Sequence, residues 1–283
     1  MSILSTSQGK QTVIKRGIIS MARDGSQPNG RGGESRTATP GHRGTLYVVG
    51  TPIGHPDDIT LRALAVLRQV AIIASEDPRA TQALLAHHGI ATTITSYGSA
   101  NRHEKMLILL DRLKQGEDIA LVSDNGTPVI YDPGCLFVAA AHRAGFPVKT
   151  VPGPSTITAA IAISGFPGDA ILFDGHLPST NHRLAQHLVA LCKERRTLVF
   201  YVEQKILGKL LKNLAQALPT RQMVIATDLT TDKETLFRGR ADELLDQIGS
   251  VPKESAVTVV IEGHGAGSRH YSSSSSRRRI STR

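Results

Sequence analysis

The 283-residue sequence predicts an α/β protein: a mostly parallel sheet covered by helices on both faces, then a second, mixed α/β set. Three observations lead there. Short apolar runs rich in β-branched residues alternate with longer amphipathic stretches. Gly/Pro-rich segments follow several of the strand-like runs directly. Forty per cent of the residues are hydrophobic, enough for sizeable cores, yet no apolar run approaches the roughly 18–20 residues that cross a bilayer.

"LYVV" (46–49) reads as a buried strand. "DITLRALAVLRQ" (58–69) reads as a helix, with Leu61, Leu64 and Leu67 on one face. "AIIA" (71–74) is a strand, and "PRATQALLAHHG" (78–89) a helix opened by proline and closed by Gly89. "TTITS", the amphipathic 103–116, the strand 118–123, the helix 136–145 and the strand 147–151 complete the first set. The second set comprises strands at 170–175, 196–202, 222–228, 234–239 and 255–263, with helices near 183–194, 204–217 and 241–248. Short links around 234–239 and before the last strand predict antiparallel pairing there. Pro and Gly cluster near 151–168, so the sequence divides into an N-terminal α/β domain, 44–153, and a C-terminal one, 154–263.

The ends differ in composition. Residues 1–43 lack apolar periodicity and read as a disordered basic extension, with seven Lys/Arg against two acidic residues; Met21 offers an alternative start. Residues 264–283 form a Ser/Arg-rich tail, also read as disordered, with five Arg and no acid. The stretch between them holds 21 basic and 22 acidic residues, so the net charge of +9 belongs to the ends. A near-neutral core argues against a basic RNA-binding face, whereas the ends suit salt-sensitive electrostatic tethering. Cys135 and Cys192 form no CxxC and pair with no histidine, so neither a disulfide framework nor a zinc site is expected, and a cytoplasmic setting is.

Ligands of open α/β sheets bind beyond the carboxyl ends of the strands. "VGTPIGHPDD" (49–58), "SDNGTPVIYDPG" (123–134) and "VPGPST" (151–156) occupy that position. Their glycines admit close backbone approach and their prolines stiffen the loop. Neither GxGxxG nor GxxxxGK[ST] is present, which argues against a dinucleotide dehydrogenase and a P-loop NTPase. "SED" (75–77) closes a strand and offers Glu76 and Asp77, with Arg79 and Thr81 nearby. Each acid also suits the capping of the helix that begins at Pro78.

The segments 44–67, 72–81 ("IIASEDPRAT"), 120–134 and 151–178, in that order, resemble the tetrapyrrole methylase (class III methyltransferase) superfamily. More closely they resemble its ribosomal small-subunit methyltransferase I branch, which methylates a cytidine ribose 2′-hydroxyl of 16S rRNA. The resemblance implies two α/β domains of that type, S-adenosylmethionine (SAM) in the cleft between them, a homodimer and no metal. It assigns cofactor contacts to Pro52, Gly54, Asp124, Gly126, Thr127, Pro128, Asp132, Pro152, Gly153, Pro154 and Ser155, and catalytic roles to Glu76, Asp77 and Arg79.

Departures from the family pattern collect on the acceptor side. Pro78 replaces a threonine, Gly98 and Ala100 stand at histidine positions beside Asn101, and Glu203 is displaced by one with a His-Arg pair missing after it. Thr227 and Asp228 replace an arginine and a glutamate, and Lys253 replaces a glycine. Three readings follow: an RNA ribose methyltransferase acting on 16S rRNA or the small ribosomal subunit; a tetrapyrrole or small-molecule methylase; and a catalytically silent SAM-binding, ribosome-associated protein.

Overall fold

A computed structural model describes residues 43–266 apart from Pro133 and His176. The expectations for residues 1–42 and 267–283 lie outside the described residues. Arg43 Nη1 donates to Ala144 O at 3.0 Å, and the N–H of His264 donates to Glu194 O at 2.7 Å, with Ala266 buried.

Five short strands, β1 (Leu46–Val49), β2 (Ile72–Ser75), β3 (Ile94–Ser96), β4 (Ile119–Val122) and β5 (Val148–Val151), form an all-parallel sheet in the order β3-β2-β4-β1-β5. Parallel strands buried on both faces read as continuous apolar runs, as "IIAS" and "IALV" do. Helices α1 (Leu61–Gln69) and α2 (Pro78–His87) cover one face, where Ala63, Leu67 and Leu85 pack on Val49, Ile73, Ala120 and Val122. Helices α3 (Arg102–Lys114) and α4 (Cys135–Arg143) cover the other, with Leu109, Leu113, Phe137 and Ala141 on Leu46, Ile72, Ile119 and Leu121. The register aligns Ser75 with Val122, and Val49 with Val151, so neighbouring strands end level. Glu76, Ser123, Gly50 and Pro152 therefore leave one edge of the sheet together.

The expected helix over 58–69 divides in two. A short 3-10 helix, Pro56–Asp58, precedes a break at Ile59, and Thr60 Oγ1 then accepts from Ala63 N at 3.1 Å to cap α1. Capping by the threonine hydroxyl competes with a continuous helix and ends it there.

Helix α5 (Thr156–Ser164) already belongs to the second sheet: Ala160 and Ile161 pack on Val199, Val224 and Val260. That sheet joins β6 (Ile171–Phe173), β7 (Thr197–Glu203), β8 (Met223–Thr227), β9 (Thr235–Gly239) and β10 (Ala256–Ile261) in the order β6-β7-β10-β8-β9. Only β6–β7 is parallel; the other three pairings are antiparallel, as the short links predict. Helices α6 (Asn181–Ala190), α7 (Gln204–Ala217) and α8 (Ala241–Leu245) cover its other face. In α7, Leu207, Leu210, Leu211 and Leu214 repeat at helical spacing, and all four are buried. Among the described residues no helix is long and apolar enough to cross a membrane.

Candidate active site

The three Gly/Pro-rich loops meet at the level edge of the first sheet. Gly50 N donates to Val151 O at 3.0 Å, and a Cβ on Gly50 would lie 2.8 Å from Gly153 Cα. Only residues without a Cβ let these two backbones cross so closely. Thr51 donates to Gly126 O through both its N–H (2.9 Å) and its hydroxyl (3.2 Å), and Gly126 N returns a bond to Pro52 O at 3.2 Å. Thr127 Oγ1 then donates to Pro154 O at 3.1 Å. Each loop is thus tied to another.

The second half closes onto this knot. A Cβ on Gly54 would fall 2.3 Å from Leu229 O, and His55 N donates to Thr230 Oγ1 at 2.9 Å. Among the described residues, four other than glycine have positive φ, in two loops: Val129 and Tyr131 in one, Asp228 and Thr230 in the other. For β-branched Val129 and Thr230 this backbone costs on the order of 1–3 kcal/mol each. The surroundings over-determine it: Asp132 accepts from Gly134 N at 2.6 Å and from the Val129 backbone, and Thr230 N donates to Glu234 Oε2 at 2.7 Å.

Two cavities flank the 123–134 loop. The first, about 400 Å³, is lined by Asn125, Gly126, Thr127, Ile130, Tyr131, Ser155 and Thr156 from one side. Tyr201, Val202, Glu203 and Ser255 to Thr258 line it from the ends of β7 and β10. Tyr201 stacks edge-on with Phe173 and Tyr131, at 4.8 and 6.2 Å between ring centroids. Burial pushes its phenol pKa up, opposed by a hydrogen bond with Thr156. The buried Ser255 Oγ has no hydrogen-bond partner among the described residues. The second cavity, about 350 Å³, lies between the 49–58 loop and α2. It is lined by Thr51, Pro52, Gly54, Pro56, Ala80, Thr81, Leu84, His87, Ser123, Asp124 and Asn125. Asn125 borders both.

Three carboxylates near one another concentrate negative charge at this edge, and one of them, Asp124, lines the second cavity. Glu76, Asp124 and Asp132 all have pKa values raised above the ordinary carboxylate range, with burial the leading cause for each. For Glu76 the charges of Asp124 and Asp132 add to it; for Asp124, that of Asp77. No ion pair joins the three to a basic side chain among the described residues. The buried Asp132 Oδ2 also has no hydrogen-bond partner among the described residues. Such a group of acids favours a cationic ligand and makes each member a stronger base.

The residues singled out in the sequence sort by place. Gly126, Thr127 and Ser155 line the first cavity; Pro52, Gly54 and Asp124 line the second. Pro128, Asp132, Pro152, Gly153 and Pro154 line neither. Asp132 braces the loop, Gly153 crosses Gly50, and the Pro154 and Pro152 carbonyls accept from Thr127 and Thr60. Asp77 Oδ1 caps α2, accepting from Arg79 N at 2.8 Å and Ala80 N at 3.3 Å, while its own N–H donates to Asp124 Oδ1 at 2.7 Å. Arg79 is exposed on the first turn of α2, and Thr81 Oγ1 is spent on Ser75 Oγ at 2.7 Å. Asn101 is spent on its own turn, accepting from Gly98 N and donating to Ser96 Oγ. Sequence reasoning missed Asn125, Ile130, Tyr131 and the whole β7–β10 wall. Two departures from the family pattern, the displaced Glu203 and Lys253 just before Ser255, are the signals available for it, and Glu203 and Ser255 do line the first cavity.

Comparisons with known proteins agree with this architecture. The family described as Tetrapyrrole (Corrin/Porphyrin) Methylases matches residues 45–245. A ribosomal RNA small subunit methyltransferase I of Thermotoga maritima is 39% identical over 220 residues, covering 78% of this chain and 99% of the relative. The protein of that name from Escherichia coli O157:H7 is 38% identical over 227 residues, covering 79% of each. Among solved structures, a cobalamin biosynthetic enzyme, cobalt precorrin-4 methyltransferase, superposes with a TM-score of 0.61 at 21% identity, over 77% of this chain and 94% of that one. A uroporphyrin-III-C-methyltransferase from Thermus thermophilus gives 0.56 at 24%, over 78% and 94%. The chain belongs to the tetrapyrrole methylase family and, within it, to the ribosomal RNA small subunit methyltransferase I group.

Proposed function

We propose that the protein transfers a methyl group from SAM to a ribose 2′-hydroxyl of a cytidine in the small-subunit ribosomal RNA. The relatives' shared name supports the RNA acceptor, and a related uroporphyrin-III C-methyltransferase structure complexed with S-adenosyl homocysteine supports the cofactor. One observation carries the reading: two of the interlocked loops, 123–134 and 151–156, line a ligand-sized cavity with the β7–β10 wall, and Asp124, one of three carboxylates without an ion-pair partner among the described residues, lines the cavity next to it.

The residues present fit SAM. Ser255 Oγ supplies a buried polar atom in the cavity wall, Gly126 and Thr127 bring backbone to its surface, and Tyr201 offers an aromatic edge. Asp124 and Asp132 face the group's positive charge in this reading, with Pro52, Gly54, Pro128, Pro152, Gly153, Pro154 and Ser155 shaping the cradle. When bound, SAM supplies a methyl group already activated for in-line displacement. The chain's own task is then alignment, which supplies most of the rate. The acceptor enters at the second cavity, whose wall shares Pro52, Gly54 and Asp124 with the cradle, and Asn125 marks where the two cavities meet. Glu76, its basicity raised by burial and by Asp124 and Asp132, takes the hydroxyl proton. Asp77 fixes α2 and Asp124, and exposed Arg79 meets an acceptor phosphate.

In the same proposal the domains are 44–153 and 154–263, the protein acts as a cytoplasmic homodimer, and the basic ends add non-specific RNA affinity. The test uses labelled SAM with small ribosomal subunits that lack the modification. Label is expected on a ribose 2′-oxygen of the small-subunit RNA. Cofactor binding without transfer to that RNA would favour the catalytically silent reading, and transfer to a tetrapyrrole the small-molecule one.

A further inference from the structure

We propose that Asp57, His87 and His88 form a binding site for a divalent transition-metal ion of the zinc class, clamping the 49–58 loop to the end of α2. Two segments far apart in sequence deliver the donors. Asp57 sits in the short 3-10 helix Pro56–Asp58, whose entry is fixed because Asp57 N donates to His55 Nδ1 at 3.2 Å. His87 is the last residue of α2 and His88 caps it. The three donor atoms lie within 4.8 Å of one another, one imidazole or carboxylate atom from each residue.

The contacts of the two rings show how near the group is to a coordination sphere. His87 Nε2 is 2.8 Å from Asp57 Oδ1, and His88 Nε2 donates to Pro56 O at 3.0 Å. The rings meet edge to face, 4.7 Å between centroids. Nitrogen and oxygen donors stand about 2.0–2.2 Å from a tetrahedral zinc ion, which puts them about 3.3–3.6 Å from each other. Small side-chain rotations reach that spacing, with His88 giving up Pro56 O for the ion. A simple His–Asp pair would use one histidine; here a second brings a ring nitrogen within 4.8 Å of both.

The donor chemistry selects the ion. Two imidazoles and one carboxylate suit zinc, cobalt, nickel or copper, whereas magnesium and calcium prefer all-oxygen sites. Three protein ligands leave a position for water. The side chains are partly solvent-accessible, 47% for His87 and 64% for Asp57, so an ion can enter without opening the fold. Pro56 and His87 also line the second cavity, so the clamp would set one wall of it. The proposal rests on this cluster alone and does not depend on the identity of the methyl acceptor.

The test is a titration of the full, tag-free chain with Co(II), read by its visible absorption, with Zn(II) in competition. One cobalt per chain is expected, displaced by zinc. Asp57→Asn and His87→Gln should each weaken binding by about tenfold or more, the scale on which even outer-shell contacts to a metal act. His142→Gln, on α4, should leave it unchanged. Circular dichroism confirms that each variant is folded, and His88→Gln replaces any that is not. Absence of one-to-one binding by the wild-type chain would overturn the proposal. So would wild-type affinity in any of the cluster variants, or an equal loss in His142→Gln.

Discussion

Gly50 and Gly153 set how closely the first and third loops approach, and through them the shape of the cradle. A Cβ on Gly153 would stand 2.7 Å from Gly50 O, a separation that real Cβ contacts do not sustain, so the loops must part. Gly153→Ala is expected to destabilise the protein by about 1–3 kcal/mol and to weaken SAM binding. Urea unfolding and calorimetric titration measure the two effects. Gly249 has nothing within 4 Å of the corresponding position, and Gly249→Ala should leave cofactor affinity unchanged. Asp77 shows how one residue can satisfy two sequence-level readings. Its carboxylate is the helix cap that "SEDP" suggests, and its amide holds the neighbouring Asp124 in the acidic group.

At the scale of elements, the α7 leucines illustrate why helices and strands were legible. Burial at positions 207, 210, 211 and 214 writes a helical period into the sequence, and the buried parallel strands write continuous apolar runs. Leu211 is fully buried, so Leu211→Ala should cost about 3 kcal/mol, within the range of roughly 2–5 for such truncations. Leu236 on β9 is 41% exposed, and Leu236→Ala should change stability by less than about 0.5 kcal/mol. Denaturant midpoints at unchanged m-values check both. The break at Thr60 was not legible, because the apolar spacing of 58–69 continues through it and the deciding hydrogen bond is a single hydroxyl to Ala63 N.

Across the whole molecule, the first-sheet side of the site could be read from sequence because each of its loops directly follows a strand. The opposite wall could not. Glu203 faces Ala256 only through the antiparallel register of β7 and β10, which brings together positions 53 residues apart and leaves no local pattern. Nor could composition reveal the metal-binding cluster, since "HPDD" and "HH" become neighbours only when α2 packs beside the 49–58 loop. The first half adds a group of acids to its level edge. Burial and the Asp124 and Asp132 carboxylates raise the Glu76 pKa, which makes it a better base once it is ionised. As the base of the proposed reaction it acts as the carboxylate, so the rate should rise with pH through a pKa above the usual value of about 4.3 and then level. The deciding measurement is single-turnover methyl transfer to small-subunit RNA across pH, in wild type and Glu76→Gln, with SAM affinity measured in parallel. A loss of about 10²–10⁴-fold in the variant is expected, with the acid limb gone and cofactor affinity unchanged. Wild-type rates with the acid limb intact would contradict Glu76 as the base.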